Sequence, residues 1–309
     1  AKVSTNDYEK GHTATGAADL EVAKKALNEI IASGKFELEK NFGDIFAYDN
    51  KENNEIILAM PFDRNEITNS NWGDTFVYSS ALFIGSFYDE EGNIIQDPLD
   101  LKGSGWFKKE YREELVESVG KADSRRAATF LEYYSSPNME EATFGVSTLK
   151  YLGHAEDGTR YFDSDVIMMR YADVLLMMAE CENGLGGSCA PWINQVRERA
   201  YGENWSEEYA YTDGDYAANE LAILFERDKE FVGEGCRWFD VVRMHDANKQ
   251  PLVFSAAAAY PMELGDEAYP ILDKATETHK LLWPINTAVL TADPKLTQTW
   301  GYNAAEGIN

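Results

Sequence analysis

Apolar residues recur at helical spacing over residues 17–33, where Val22, Ala23, Ala26, Leu27, Ile30 and Ile31 share one face and Gly34 stands ready to close the helix in a left-handed conformation. The spacing predicts an amphipathic helix. Phe36 and Leu38 then alternate with charged residues, and the run EIILAMPF (55–62), bounded by Asn53, Asn54 and Pro61, reads as a buried strand or extended segment. From 63 to about 123 the periodicity fades into a stretch rich in Gly, Asn, Ser and rings, including Trp72, Phe76, Tyr78, Phe83, Phe87, Tyr88, Trp106, Phe107 and Tyr111. A long irregular region inside a folded chain is usually functional. The plainer alternative is that most of these rings plug the core beneath long loops.

The clearest pattern begins near Asp165, a candidate N-cap, after which Tyr171, Val174, Leu175 and Met178 form one apolar stripe and Ala172, Leu176 and Ala179 a smaller one beside it. A helix apolar on two faces is expected to be sandwiched. Gly184, Gly186 and Gly187 end it, and Ser188 with Pro191 can start a second helix through Trp192, Ile193 and Val196 to Ala200, which makes an antiparallel hairpin of tetratricopeptide type without a second copy at fixed period. A third helix is expected from Asn219 through Leu221, Leu224, Phe225, Phe231 and Val232, passing Gly233 and Gly235 into RWFDVVRM (237–244). Glu226, Glu230 and Glu234 lie four apart, and Arg227 to Glu230, Arg237 to Asp240 and Asp240 to Arg243 are all at i,i+3. After Lys249 periodicity is weak. The expected fold is mainly α, with helix hairpins supporting a long irregular, loop-rich face and a few short strands.

Composition narrows the partners. At 309 residues the chain can bury roughly three quarters of its unfolded surface, so its core needs no staples. No apolar stretch approaches the roughly 20 residues needed to cross a bilayer. Asp and Glu outnumber Lys and Arg by 54 to 28, a net charge of −26, which excludes nucleic acid and anionic membranes as partners because such affinity comes from Lys and Arg. The excess reads as a solvated, self-repelling surface. Three cysteines, Cys181, Cys189 and Cys236, lack CxxC spacing; the first two can meet across a helix turn or simply fill space as small buried residues. No lipobox-like cysteine stands near residue 1, so an export signal is expected to lie upstream or to have been removed.

Catalytic signals are sparse. His12, His154, His245 and His279 are far apart and none sits in an HExxH context, so no metal and no cofactor is expected. The DGD at 213–215 lacks the other ligands of an EF-hand and reads as a turn. GxSxG, Walker A and GxGxxG motifs are absent. The serious enzymatic alternative is a helix-rich glycoside hydrolase with two carboxyl groups roughly 5 to 10 Å apart. Against it, the acids at 226, 230 and 234 are interleaved with Arg, which suits an ion-pair network better than a proton-donating acid. Arg237 and Asp240 beside Trp238 and Phe239 either line a pocket or brace the core, and bracing is the reading preferred.

Three segments together resemble the SusD/RagB family of outer-membrane nutrient-binding lipoproteins. RYADVLLMMAEC (170–181) with WINQVRERA (192–200) is similar to that family's Arg-Tyr-Ala and Asn-x-Val-Arg helices. LFERDKEFVGEGCRWFDVVR (224–243) is similar to its Glu-Arg and Arg-Trp-x-Asp signature, and WPINTAVLTADPKLTQTWGY (283–302) to its tail, although Asn286 and Thr299-Trp300 depart from the usual Pro-Ile-Pro and Asn-Pro. ALNEIIASGKFEL (26–38) fits the stretch before a variable insertion. The resemblance implies one C-terminal region in which 1–62 forms a hairpin and strand, 63–164 an aromatic-rich insertion, and 165–309 the signature helices and tail, with an N-terminal part missing.

What the resemblance further implies is a protein that binds an oligosaccharide or polysaccharide on the bacterial surface and delivers it to a SusC-like, TonB-dependent transporter. It would be lipid-anchored through the missing part and would not be an enzyme. A pyranose offers an apolar C–H face to rings and hydroxyls to polar groups. From the insertion, Trp72, Tyr78, Tyr88 and Trp106 are candidate stacking rings and Asn69, Asn71 and Asp74 their polar partners. Arg170, Glu226, Arg227, Glu230, Arg237, Trp238, Asp240 and Arg243 are expected to be scaffold. A helical scaffold that binds only proteins is a third reading.

Overall fold

Helix α1 (Ala17–Ala32) forms where the apolar spacing places it, and Gly34 takes φ +58 just past its end. A computed structural model describes residues 16–66, 85–97, 111–135, 143–157 and 159–302. Leu27 is buried on the inner face of α1 with Leu20, Ile30 and Ile31 half-buried around it, while Val22 stays exposed. The chain continues through β1 (Ile56–Met60), β2 (Phe87–Tyr88), β3 (Ile94–Ile95), α2 (Glu113–Ser118), α3 (Ser124–Thr129), β4 (Phe130–Tyr134), β5 (Thr143–Thr148), β6 (His154–Glu156), β7 (Thr159–Tyr161) and β8 (Val166–Arg170). Three small antiparallel sheets result, in the orders β3-β2-β4-β5, β6-β7 and β1-β8.

The β1-β8 pair corrects two expectations. β1 is a strand, but Leu58 and Met60 are exposed, so it is only half-buried. Residues 166–170 pair with it instead of starting a helix, because Val166 and Ile167 favour pleated backbone. Asp165 is therefore no N-cap: it accepts the Phe62 N–H at 2.9 Å and pairs with Lys51.

The helix begins at Tyr171. α4 (Tyr171–Leu185) is sandwiched as its two stripes require. Val174, Met178 and Cys181 pack with Leu27, whereas Ala172, Leu175, Leu176 and Ala179 join Ile193 and Val196 of α5 (Ala190–Tyr201) and Ile223 and Leu224 of α6 (Tyr216–Glu230). Each fully buried Leu or Ile here contributes about 1.5–3 kcal/mol. A Cβ on Gly184 would lie 2.5 Å from Leu20 Cδ1, so a bare backbone at that position lets α1 close on α4.

Helix ends explain the acidic turn. Asp213 accepts the N–H groups of Cys189 and Ala190, each at 3.0 Å, and Asp215 accepts that of Ala218 at 2.9 Å, so the two carboxylates cap α5 and α6. α7 (Arg237–Arg243) and α8 (Thr287–Ala292) follow, and between them Leu252, Val253, Leu272 and Leu281 pack onto the same core. The three cysteines are free thiols. Among the described residues no helix is long and apolar enough to cross a membrane.

Candidate functional site

Charge in the interior is organised around the C-terminal end of α6. Five cations (Arg125, Lys150, Arg170, Arg197, Arg199) and five carboxylates (Glu55, Asp123, Glu226, Glu230, Glu234) form one connected set of ion pairs. Arg170 reaches Glu230 at 2.6 Å, Glu55 at 2.7 Å and Glu234 at 2.9 Å. Phenylalanine rings close over the cations, with Lys150 Nζ 4.7 Å from the Phe46 centroid and the Arg170 guanidinium 4.3 Å from that of Phe231.

Burial pushes the carboxyl of Glu230 up, but Arg199, Arg170 and Arg125 outweigh it and hold the group well below the usual range. Glu226, against Arg125 and Arg197, and Glu234, against Arg170 and Lys150, are lowered in the same way despite their burial. Burial takes Lys150 down to about 8 against the pull of Glu234. None of these three acids is poised to donate a proton.

The remaining signature residues brace neighbouring helices with partners that the spacing only partly reveals. Arg227 pairs with Asp173 at 2.6 Å and Asp240 at 2.9 Å instead of Glu230, which three other arginines already hold. Arg237 turns to Asp228 and away from Asp240. Asp240 does meet Arg243 at 2.9 Å, one turn on, and Arg243 also holds Glu180 at 2.8 Å. Trp238 is half-buried at the core's edge.

A different arrangement stands at the base of the 63–164 stretch. Cross-strand pairing in the β6-β7 hairpin sets His154 opposite Tyr161, with ring centroids 5.3 Å apart and 24° between planes. Tyr48 stacks on His154 at 4.1 Å and 20°, and the Arg64 guanidinium lies 5.2 Å from the Tyr161 centroid. Four flat groups thus form one column. His154 Nδ1 is 3.0 Å from Asp163 Oδ1, and since a carboxylate only accepts, Nδ1 carries the proton. Arg64 is tied to Glu156, and Lys51 to Asp165 and the Phe62 carbonyl.

Three members of the column, Tyr48, Arg64 and His154, line a concavity of about 540 Å3 together with Lys51, Asp63, Asn65 and Glu156. Tyr48, at its end, is 39% exposed. A ring held flat by stacking beside donors (Lys51, Arg64, Asn65) and acceptors (Asp63, Glu156, Asp163) offers what a pyranose needs, an apolar face and hydroxyl partners.

Of the ring and amide candidates from the sequence, Trp72, Tyr78, Trp106, Asn69, Asn71 and Asp74 lie outside the described residues. Tyr88 falls in β2 and is 7% exposed, so its ring is packed and presents no open stacking face. No local sequence pattern marks Tyr48, Arg64, His154 and Tyr161 together as a binding set. The signal that could have found two of them is the Asp-Gly dipeptide at 157–158 of the sequence, which favours a hairpin between short runs; in the observed register Glu156 pairs with Thr159 and His154 with Tyr161, and Asp157 takes a positive φ, +49. Gly153, at φ +63, is a second requirement, since a Cβ there would sit 1.8 Å from the Tyr161 carbonyl oxygen.

Comparison with known proteins gives concordant matches. The SusD family model matches residues 38–302. A crystal structure of a SusD superfamily protein from Bacteroides fragilis is 37% identical, with a TM-score of 0.81, covering 97% of this chain and 63% of its own. A SusD-like protein of Formosa agariphila is 28% identical over 238 residues, which are 70% of this chain and 44% of that protein. The starch-binding protein SusD of Bacteroides thetaiotaomicron is 22% identical over 282 residues, 76% of this chain and 49% of that one. The chain spans about half the length of the curated relatives it matches.

Proposed function

The chain belongs to the SusD family, and from that premise we propose that it captures an oligosaccharide or polysaccharide on the bacterial surface, with the Tyr48 column as a stacking platform. The observation that carries this reading is the half-open Tyr48 ring at the end of a column of flat groups, beside a rim of mixed donors and acceptors. A related protein's description as starch-binding supports the same ligand class. Delivery to a SusC-like, TonB-dependent transporter and a lipid anchor in the outer membrane belong to the same proposal. Trp72, Tyr78 and Trp106, with Asn69, Asn71 and Asp74, are proposed as further ligand contacts, all but Trp106 following closely in sequence on the rim residue Asn65.

The protein is proposed to bind without hydrolysing. Glu226, Glu230 and Glu234 are held ionised by arginines and lysine, the reverse of what a general acid needs. Calorimetric titration against a panel of oligosaccharides tests the platform. Tyr48→Ala should weaken binding about tenfold, in line with the ~0.5–1.5 kcal/mol of a ring contact plus its buried area. Unchanged affinity in that variant would remove Tyr48 from the site, and sugar release from incubated polysaccharide would replace capture with hydrolysis.

A further inference from the structure

Away from the platform lies a larger cavity, about 770 Å3, where the end of α6 and α7 face residues 111–115 and 259–271. Its size falls within the roughly 300–1,000 Å3 of small-molecule sites. Half-buried Trp238 on α7 and 70%-exposed Tyr269 supply ring faces to it. The Arg237 side chain is 33% exposed, is paired with Asp228, and lies 5.0 Å from the Tyr260 centroid. Asp228 is buried behind it and also accepts from the Tyr260 hydroxyl at 3.1 Å. Arg237 also donates to the Ala258 carbonyl, and a planar guanidinium fixed by a carboxylate, a carbonyl and a ring presents its remaining N–H groups in a set direction. Glu267 adds an acceptor on the opposing loop.

The lining selects a ligand class. The charges that line it balance, Arg112, Arg227 and Arg237 against Asp228, Asp240 and Glu267, so neither an anion nor a cation finds a net opposite charge there. A wholly apolar molecule would cover Arg237 without replacing its water. A neutral sugar meets both demands, laying a C–H face on a ring and offering hydroxyls to Arg237 and Glu267. We propose that this cavity is a second carbohydrate subsite, taking a neutral hexose unit separately from the Tyr48 platform; the proposal rests on the carbohydrate reading above.

The test follows the indole N–H signal of Trp238 by NMR, identified by its loss in Trp238→Phe. Glucose, galactose, mannose and N-acetylglucosamine are titrated to on the order of 100 mM, enough to register millimolar binding. At least one hexose should shift the signal, with affinity about tenfold weaker in Tyr269→Ala, a change at an exposed ring that leaves the fold intact, and unaltered in Tyr48→Ala. Silence of Trp238 towards all four sugars, while calorimetry still shows oligosaccharide bound at the platform, overturns the second subsite alone. A shift that disappears in Tyr48→Ala, or a response to free indole in place of the sugars, overturns it too. Absence of binding at both places sinks the underlying carbohydrate reading.

Discussion

Replacing Arg170 by methionine keeps most of the side-chain length and removes the cation. In the native protein this guanidinium is 1% exposed and serves Glu55, Glu230 and Glu234 together. After the change Glu55 keeps Arg199, Glu230 keeps Arg125 and Arg199, and Glu234 keeps only Lys150. Five carboxylates then face four cations in a region closed to water. Leaving one such buried charge unpaired costs about 3–5 kcal/mol. With a urea dependence of about 3 kcal/mol per molar, the upper end of the range for small proteins, the unfolding midpoint followed by tryptophan fluorescence should fall by about 1–1.7 M. Adding Glu234→Gln restores four charges of each sign and should recover most of that loss. A midpoint shift below about 0.3 M in the single variant, under 1 kcal/mol, would refute the claim that the network depends on charge balance.

Two further outcomes follow from other sites. Burial, reinforced by the Glu180 carboxylate, raises Glu220 from 4.5 to about 7. The folded protein therefore holds this proton longer than the unfolded chain, so the associated stability is complete below pH 4.5 and is lost as pH rises through 7, by up to about 3 kcal/mol. Glu220→Gln should flatten the stability curve between those values, and an unchanged slope in urea melts at several pH values would count against the assignment. At Gly153 an added methyl meets the Tyr161 carbonyl oxygen, and the positive φ is itself strained for any other residue. Gly153→Ala should cost more than about 1 kcal/mol and weaken oligosaccharide binding with it, because His154 moves. Wild-type melting temperature and affinity would contradict this.

The first two long helices were legible because each carries both a period and an end signal, α1 its stripe and Gly34 and α4 its two stripes and Gly186, whereas α6 starts at Tyr216, ahead of the expected Asn219, because Asp215 caps it from within a segment that reads only as a turn. β8 was not, since a five-residue apolar run such as VIMMR fits a buried helix turn as readily as a strand, and only its pairing with β1 decides. Local charge spacing found Asp240 with Arg243 but could not find Glu55 with Arg170, whose 115-residue separation has no mark in either neighbourhood. The platform escaped for the same reason: Tyr48, Arg64 and His154 come together only through tertiary structure. Of the candidate rings within 63–164, the one that is described, Tyr88, is packed in a sheet.

The ten-member charge set also bears on how this chain folds. Glu55 finds its cations only after residue 165, and Lys150 finds its acid only there, while Arg125 spans both halves. Each half is neutral in these groups when counted alone, yet neither can shelter them without the other. Partial assembly would strand ions in hydrocarbon, so the two halves are expected to melt and reform in a single concerted step.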